Sequence, residues 1–190
     1  TRTRWLLAGA GAAAVFVVVY ISFMGYAGDR VTAWLHPELD PGDTGYQILQ
    51  SLYPIGSGGL FGLGYGKSRQ KYLYLPFQYN DYIFAVICEE LGLVGAMAIV
   101  ALFAVTILRG YWIALNARDR FSTVLAAGLV TLIAVQTILN LCVVTNLLPS
   151  TGIALPFFSY GGTALAVNLG EMGIVLGISR GRNRRKKQEA

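Results

Sequence analysis

Asp81 closes the stretch Leu75-Pro76-Phe77-Gln78-Tyr79-Asn80 and opens an apolar run that begins at Tyr82. A carboxylate at the mouth of an apolar segment suits general-base chemistry. The same residue also suits a helix cap, because Asp accepts hydrogen bonds from the free amides of a first turn. The two roles are compatible. Glu89 and Glu90 follow within the run. On a straight helix, Glu89 is rotated about 80° from Asp81 and lies about 12 Å deeper, and Glu90 points about 180° away. Upstream stand three cations, Lys67, Arg69 and Lys71. Such a cluster near a membrane surface can hold a pyrophosphate or contact lipid headgroups.

Other polar groups sit inside apolar runs. Gln136 and Asn140 are one helical turn apart, and Glu171 lies close to Asn168. Intramembrane carboxylates are costly and face a cavity or a partner. These groups therefore predict an internal polar cavity or a network of helix–helix hydrogen bonds. Gly64-Tyr65-Gly66-Lys67-Ser68 resembles the end of a phosphate-binding loop, but that motif needs a glycine where Phe61 stands, so nucleotide binding is rejected. Gly173 and Gly177 fit a small-residue packing face. Cys88 and Cys142 both lie in apolar runs and read as packing residues. With one histidine, His36, the chain shows no metal-ligand spacing, and no metal site is expected.

The elements that must position these residues are membrane helices. Of the 190 residues, 55% are hydrophobic and 13% charged, against about 25% charged in a soluble domain. Four spans are predicted: Trp5 to Phe23, Tyr82 to Leu108, Phe121 to Leu148, and Thr163 to Ile178. The last is short, and Ile153 to Phe158 can help to complete it, since about 20 apolar residues cross a bilayer core. The fold class is all-α and polytopic, one integral membrane domain over residues 1–190. The opening Thr-Arg-Thr-Arg has no Met and no cleavage pattern, so a fragment of a longer protein is expected.

The net charge of +5 does not point to nucleic acid. Six of the 15 basic residues fall in the tail from Arg180 to Lys187. Counting the N-terminus (Arg2, Arg4) and the 109–120 loop (Arg109, Arg118, Arg120), 11 of the 15 lie on one side of a four-span chain. The positive-inside rule puts that side in the cytoplasm. Residues 180–190 become a basic cytoplasmic tail, and residues 24–81 a long extracellular loop carrying Asp81. Within that loop, six glycines from Gly56 to Gly66 alternate with Leu60, Phe61, Leu63 and Tyr65. This mixture predicts a segment that dips into the interface and packs on the helices.

The stretch Leu148-Pro-Ser-Thr-Gly152-Ile-Ala-Leu-Pro156-Phe-Phe-Ser159-Tyr160-Gly161-Gly162-Thr163 closely resembles the signature of the FtsW/RodA/SpoVE family of bacterial cell-wall synthesis. A second set of residues also matches: Tyr46-Gln47, Gln50-Ser51-Leu52, Gly56-Ser-Gly-Gly59, Gly64-Tyr-Gly66, Gln70-Lys71, Leu75-Pro76, Asp81-Tyr-Ile-Phe84-Ala85 and Glu89-Glu90-Leu-Gly92. The likeness runs from about Arg30 to Arg180. Phe77 departs from it, standing where the family commonly has Glu.

The resemblance implies ten membrane helices, of which this chain holds the last four. It implies polymerisation of lipid II into glycan strands together with a class B penicillin-binding protein, in division, shape or sporulation. The Gly-Lys-Ser-Arg-Gln-Lys stretch leans toward the division or sporulation members. The catalytic Asp of the family falls on Asp81. Substrate contacts are expected from Lys67, Arg69, Lys71, Gln50, Ser159, Tyr160, Gly161 and Gly162. Glu89, Glu90, Gln136 and Glu171 are expected to line the cavity. The resemblance fixes no cofactor; a divalent cation, Mg or Mn, suits the pyrophosphate leaving group. The membrane in question is the bacterial plasma membrane. Two other readings fit the same residues: a lipid II flippase using the intramembrane carboxylates, and a non-catalytic scaffold for the penicillin-binding protein.

Overall fold

A computed structural model describes residues 11, 15, 31–39, 44–68 and 81–188, with side chains as far as residue 181. The predicted first span, Trp5 to Phe23, lies outside the described residues, as do Arg69 and Lys71. The chain divides into two compact units, Thr1–Leu49 and Gln50–Ala190.

The 24–81 connection is not all loop. Residues 31–35 are helical and are followed by a short 3-10 turn, Pro37–Leu39. Helix α1 then covers Thr44–Ser57. Three long helices follow: α2 over Ile83–Leu115, α3 over Arg120–Val144 and α4 over Gly162–Gln188. Segments Ile83–Leu115, Arg120–Val144 and Gly162–Gly181 are each long and apolar enough to cross a membrane, which makes this a multi-pass membrane protein. These are three of the four predicted spans. The second extends further than predicted, so that residues 109–115 are helix and not loop. There Arg109 stacks over the Trp112 ring, 5.1 Å from its centroid.

Helix α3 starts and stops for reasons written in its ends. Asp119 is its N-cap and accepts from the Ser122 amide at 2.9 Å and the Ser122 hydroxyl at 2.8 Å. At the other end Asn146 takes a left-handed conformation, φ +58°. The Leu147 amide donates to the Cys142 carbonyl at 2.8 Å and the Asn146 amide to the Val143 carbonyl at 3.0 Å. This is a Schellman stop with Asn in the position usually held by Gly, and Pro149 follows where a helix cannot resume.

Helix α2 is two helices in one. Gly92, at φ +67° and ψ −169°, breaks it into Ile83–Leu91 and Leu93–Leu115. A break inside a membrane helix frees carbonyls on one side and amides on the other, and in a bilayer each must find a protein partner. The glycine-rich segment supplies them. The Leu63 and Gly64 amides donate to the Glu89 and Glu90 carbonyls at 2.9 and 3.1 Å. The Leu93 and Val94 amides donate to the Gly59 and Leu60 carbonyls at 2.9 and 3.2 Å. Two carbonyls on one side of the break and two amides on the other are thereby satisfied.

The close approach explains three glycines. A Cβ on Gly58 would run into the Cys88 carbonyl, one on Gly62 into the Glu90 carbonyl, and one on Gly92 into the Leu60 carbonyl and Gly62 amide. The break also changes direction. Gly110 packs against Val130, and Asp81 is tied to Asn140. Those two α3 residues are only about 15 Å apart along their helix, whereas an unbroken helix from residue 81 to 110 would stretch about 40 Å. The half-helix Ile83–Leu91 must therefore turn back across the bundle. Phe84, Ala85 and Cys88 from this half join Ala96 and Phe103 from the other, with Val144 and Leu155, in one apolar core.

Candidate active site

The segment between α3 and α4 returns into the bundle instead of looping away. Leu155 and Pro156 are fully buried. The Phe158 ring lies 5.9 Å from that of Phe103, midway along α2. The segment closes on itself: the Leu155 amide donates to the Ser159 hydroxyl at 2.7 Å, and the Ser159 amide to the Leu155 carbonyl at 3.1 Å. Inside this closure Phe157 holds φ +66°, an outlier for a bulky side chain that only a firmly packed surrounding sustains.

Asp81 meets the front of this segment. It sits one residue before the N-cap position of α2, which is Tyr82, and Tyr82 makes no side-chain cap bond. The predicted capping role of Asp81 is thus corrected. The helix starts from the Tyr82 carbonyl, which accepts from the Ala85 amide at 3.0 Å. The Asp81 carboxylate instead turns toward Gly152, where an added Cβ would lie 3.5 Å from Asp81 Oδ2. Gly152 has φ +69°. The Tyr82 hydroxyl donates to Ser150 Oγ at 3.2 Å. Asn140 Nδ2 donates to both the Asp81 and Ile153 carbonyls, at 2.8 and 2.7 Å. Partial burial holds the Asp81 carboxyl above the ordinary aspartate range.

The other predicted residues are distributed around this centre. Glu89 is 2% exposed and accepts a hydrogen bond from the Ser68 hydroxyl. This bond fastens the end of the glycine-rich segment to the half-helix below Asp81. Lys67, next to Ser68, is exposed, and its stem lies beside Gly64. Glu90 and Glu171 are buried, and Glu90 Oε1 and Glu171 Oε2 lack a hydrogen-bond partner among the described residues. Gln136 is half-buried on α3. Gln50, on α1, buries an Oε1 that has no partner among the described residues. Ser159 is engaged by Leu155, Tyr160 is 83% exposed, and Gly161 and Gly162 open α4.

Sequence reasoning named Asn140 only as a polar group in a span and treated Gly152 only as part of a pattern. An amide one turn from a helix end was the available signal for Asn140. Ser68 carried no signal beyond its rejected phosphate-loop context.

Residues 1–184 match the family model FtsW/RodA/SpoVE, described as cell cycle protein. Stage V sporulation protein E of Bacillus subtilis is 50% identical over 151 residues, covering 80% of this chain and 41% of that protein. The probable peptidoglycan glycosyltransferase FtsW of Trichlorobacter lovleyi is 43% identical over 181 residues, covering 95% of this chain and 48% of that protein. The chain therefore spans about half the length of the curated relatives it matches. Among solved structures, one from work on polymerization and crosslinking by a peptidoglycan synthase complex superposes with a TM-score of 0.75 at 29% identity, over 94% of this chain and 49% of that one. The rod shape determining protein RodA of Thermus thermophilus superposes with a TM-score of 0.54 at 32% identity, over 70% of this chain and 40% of that one. By its sequence match and its fold, the chain belongs to the FtsW/RodA/SpoVE family.

Proposed function

We propose that the whole protein is a peptidoglycan glycosyltransferase that joins lipid II units into glycan strands at the outer face of the bacterial plasma membrane. Asp81 is the general base. The observation that carries this reading is the half-buried Asp81 carboxylate, held against Gly152 between the half-helix and the returning segment. Relatives named as probable peptidoglycan glycosyltransferases support the reaction class.

In the reaction, the acceptor sugar's hydroxyl oxygen forms a bond to the donor's anomeric carbon. The hydroxyl proton passes to the Asp81 carboxylate. The bond from the anomeric carbon to the diphosphate oxygen breaks, and the electron pair leaves with undecaprenyl pyrophosphate. Burial makes Asp81 a stronger base than a solvated aspartate. One base and a leaving group that needs no protonation fit inversion at the anomeric carbon.

The leaving diphosphate needs counter-charge. Lys67, Arg69 and Lys71 supply it in this reading, with a divalent cation, Mg or Mn, accompanying the diphosphate as part of the substrate. Among the described residues no three His, Cys, Asp or Glu side chains gather to hold a metal ion, so no step is derived through one. Ser159, Tyr160, Gly161 and Gly162 shape the substrate cavity in this reading. Glu89, Glu90, Gln136, Glu171 and Gln50 form its polar walls.

The distribution of Lys and Arg supports a cytoplasmic location for both ends of the chain and for the α2–α3 turn, with Asp81 outside. A class B penicillin-binding protein is the partner that crosslinks the strands. The full-length protein with that partner, incubated with lipid II, is expected to give glycan chains on a gel, and Asp81→Asn is expected to give none. Wild-type polymerisation by Asp81→Asn would refute the base. Loss of transbilayer lipid II movement with polymerisation intact would support a flippase instead, and no change in either would support a scaffold.

A further inference from the structure

Asn140 is 1% exposed, on the last full turn of α3. Its Nδ2 carries two hydrogens and both are used: one on the Asp81 carbonyl, the other on the Ile153 carbonyl. Neither carbonyl belongs to a regular helix, since Asp81 precedes the α2 cap and Ile153 lies in the irregular return. Without Asn140 each would lose this donor. Leaving a part-buried acceptor without its donor is unfavourable.

The two acceptors fix the amide's orientation, because the flipped amide would point its oxygen at two carbonyl oxygens. In the orientation held, Oδ1 is buried with no partner among the described residues. The site thus accepts one orphaned oxygen in exchange for two ties, one to each of two segments. The Tyr82–Ser150 bond joins those segments again, one residue from Asp81 and three from Ile153, and the Asp81 carboxylate stands opposite Gly152 beside them.

We infer that Asn140 is a positioning residue, whose single amide clamps the main chain of Asp81 to that of Ile153 and so holds the Asp81 carboxylate over Gly152. The inference rests on Asp81 being the base. The clamp acts on the backbone of the reacting residue, so its loss displaces the carboxylate without removing it. A displacement near 1 Å at a reacting group costs about 100-fold in rate.

The test uses the full-length protein with its synthase partner, lipid II as substrate, and rates taken per folded molecule. Asn140→Leu removes both donors, and Asn140→Ser keeps one donor at shorter reach. The expected result is a kcat lowered about 100-fold for Asn140→Leu and about tenfold for Asn140→Ser, with KM within about twofold of wild type. The acid limb of kcat against pH should move in both. Thr137→Val is the control, because the Thr137 hydroxyl bonds only the Ile133 carbonyl of its own helix, and it should keep wild-type kcat and pH profile. If Asn140→Leu does not fold, Asn140→Ser decides alone. Wild-type kcat and an unmoved acid limb in the Asn140 variants, beside an inactive Asp81→Asn, overturn the clamp and leave the base standing. An active Asp81→Asn overturns the reading beneath it.

Discussion

The Asp81 carboxylate faces Gly152, a position of the returning segment that has no side chain. A Cβ on Gly152 would stand 3.5 Å from Asp81 Oδ2, and the backbone there is left-handed at φ +69°. Gly152→Ala is therefore doubly unfavourable. The left-handed backbone alone costs about 1 kcal/mol or more. The methyl also fills the space in front of the carboxylate. Thermal unfolding in detergent should show the destabilisation, and polymerisation of lipid II should fall more than the loss of folded protein explains.

Asp81→Asn should separate stability from activity. Burial raises the Asp81 carboxyl above its ordinary value, so ionising it costs the folded state. Its contribution to stability is full below the unfolded pKa and is lost as pH rises through the higher folded value. At neutral pH the Asn variant should melt no lower than wild type while failing to polymerise. In the wild type, activity should fall as pH drops through that raised value, because the base must be ionised to act.

The glycines that meet the broken helix should tolerate no side chain. Gly62→Ala and Gly92→Ala each combine a positive φ with a clash against backbone, and each should cost about 1–3 kcal/mol from the conformation alone. Gly56→Ala is the contrast. Nothing lies within 4 Å of a Cβ there, and the residue is within α1, so the change should be neutral or stabilising by up to about 1 kcal/mol. Midpoints of thermal unfolding in detergent check all three.

Ser68 and Glu89 should be coupled. Their bond is buried and joins residues far apart in sequence. Ser68→Ala, Glu89→Gln and the double variant form a cycle whose interaction energy should be about 1–3 kcal/mol. Additive effects would show that the glycine-rich segment is held by its backbone bonds alone.

Asp119 gives a pH signature on the other side of the bundle. Hydrogen bonds from the Ser122 amide and hydroxyl hold its carboxyl below the ordinary aspartate range. Its contribution to stability is present above the unfolded pKa and is lost as pH falls through the lower folded value. Asp119→Ala should lower the melting midpoint slightly at neutral pH, and the difference from wild type should vanish in acid.

The amino-acid sequence by itself determined the class of molecule. Long apolar runs are local properties, and they marked the three spans among the described residues, the broad architecture and the place of Asp81 before α2. The pattern from Leu148 to Thr163 was long enough to indicate the family. The stop of α3 was also locally encoded, in Asn146 and Pro149.

Tertiary structure decided what local pattern cannot carry. Hydropathy reads residues 82 to 108 as one span, because a single uncharged glycine does not interrupt a long apolar run. The break exists because backbone groups of Gly59, Leu60, Leu63 and Gly64 pair with those of Glu89, Glu90, Leu93 and Val94, some 30 residues away. Main-chain hydrogen bonds between distant segments leave no side-chain signature except the glycines that permit the approach. The same holds for Asp81. Its sequence context suggested a cap for its own helix, but the returning segment offered Gly152, and Asn140 from a third element fixed the geometry. A cap is a bond between near neighbours, which sequence can anticipate. A clamp between three segments exists only once each has been placed by the packing of the others.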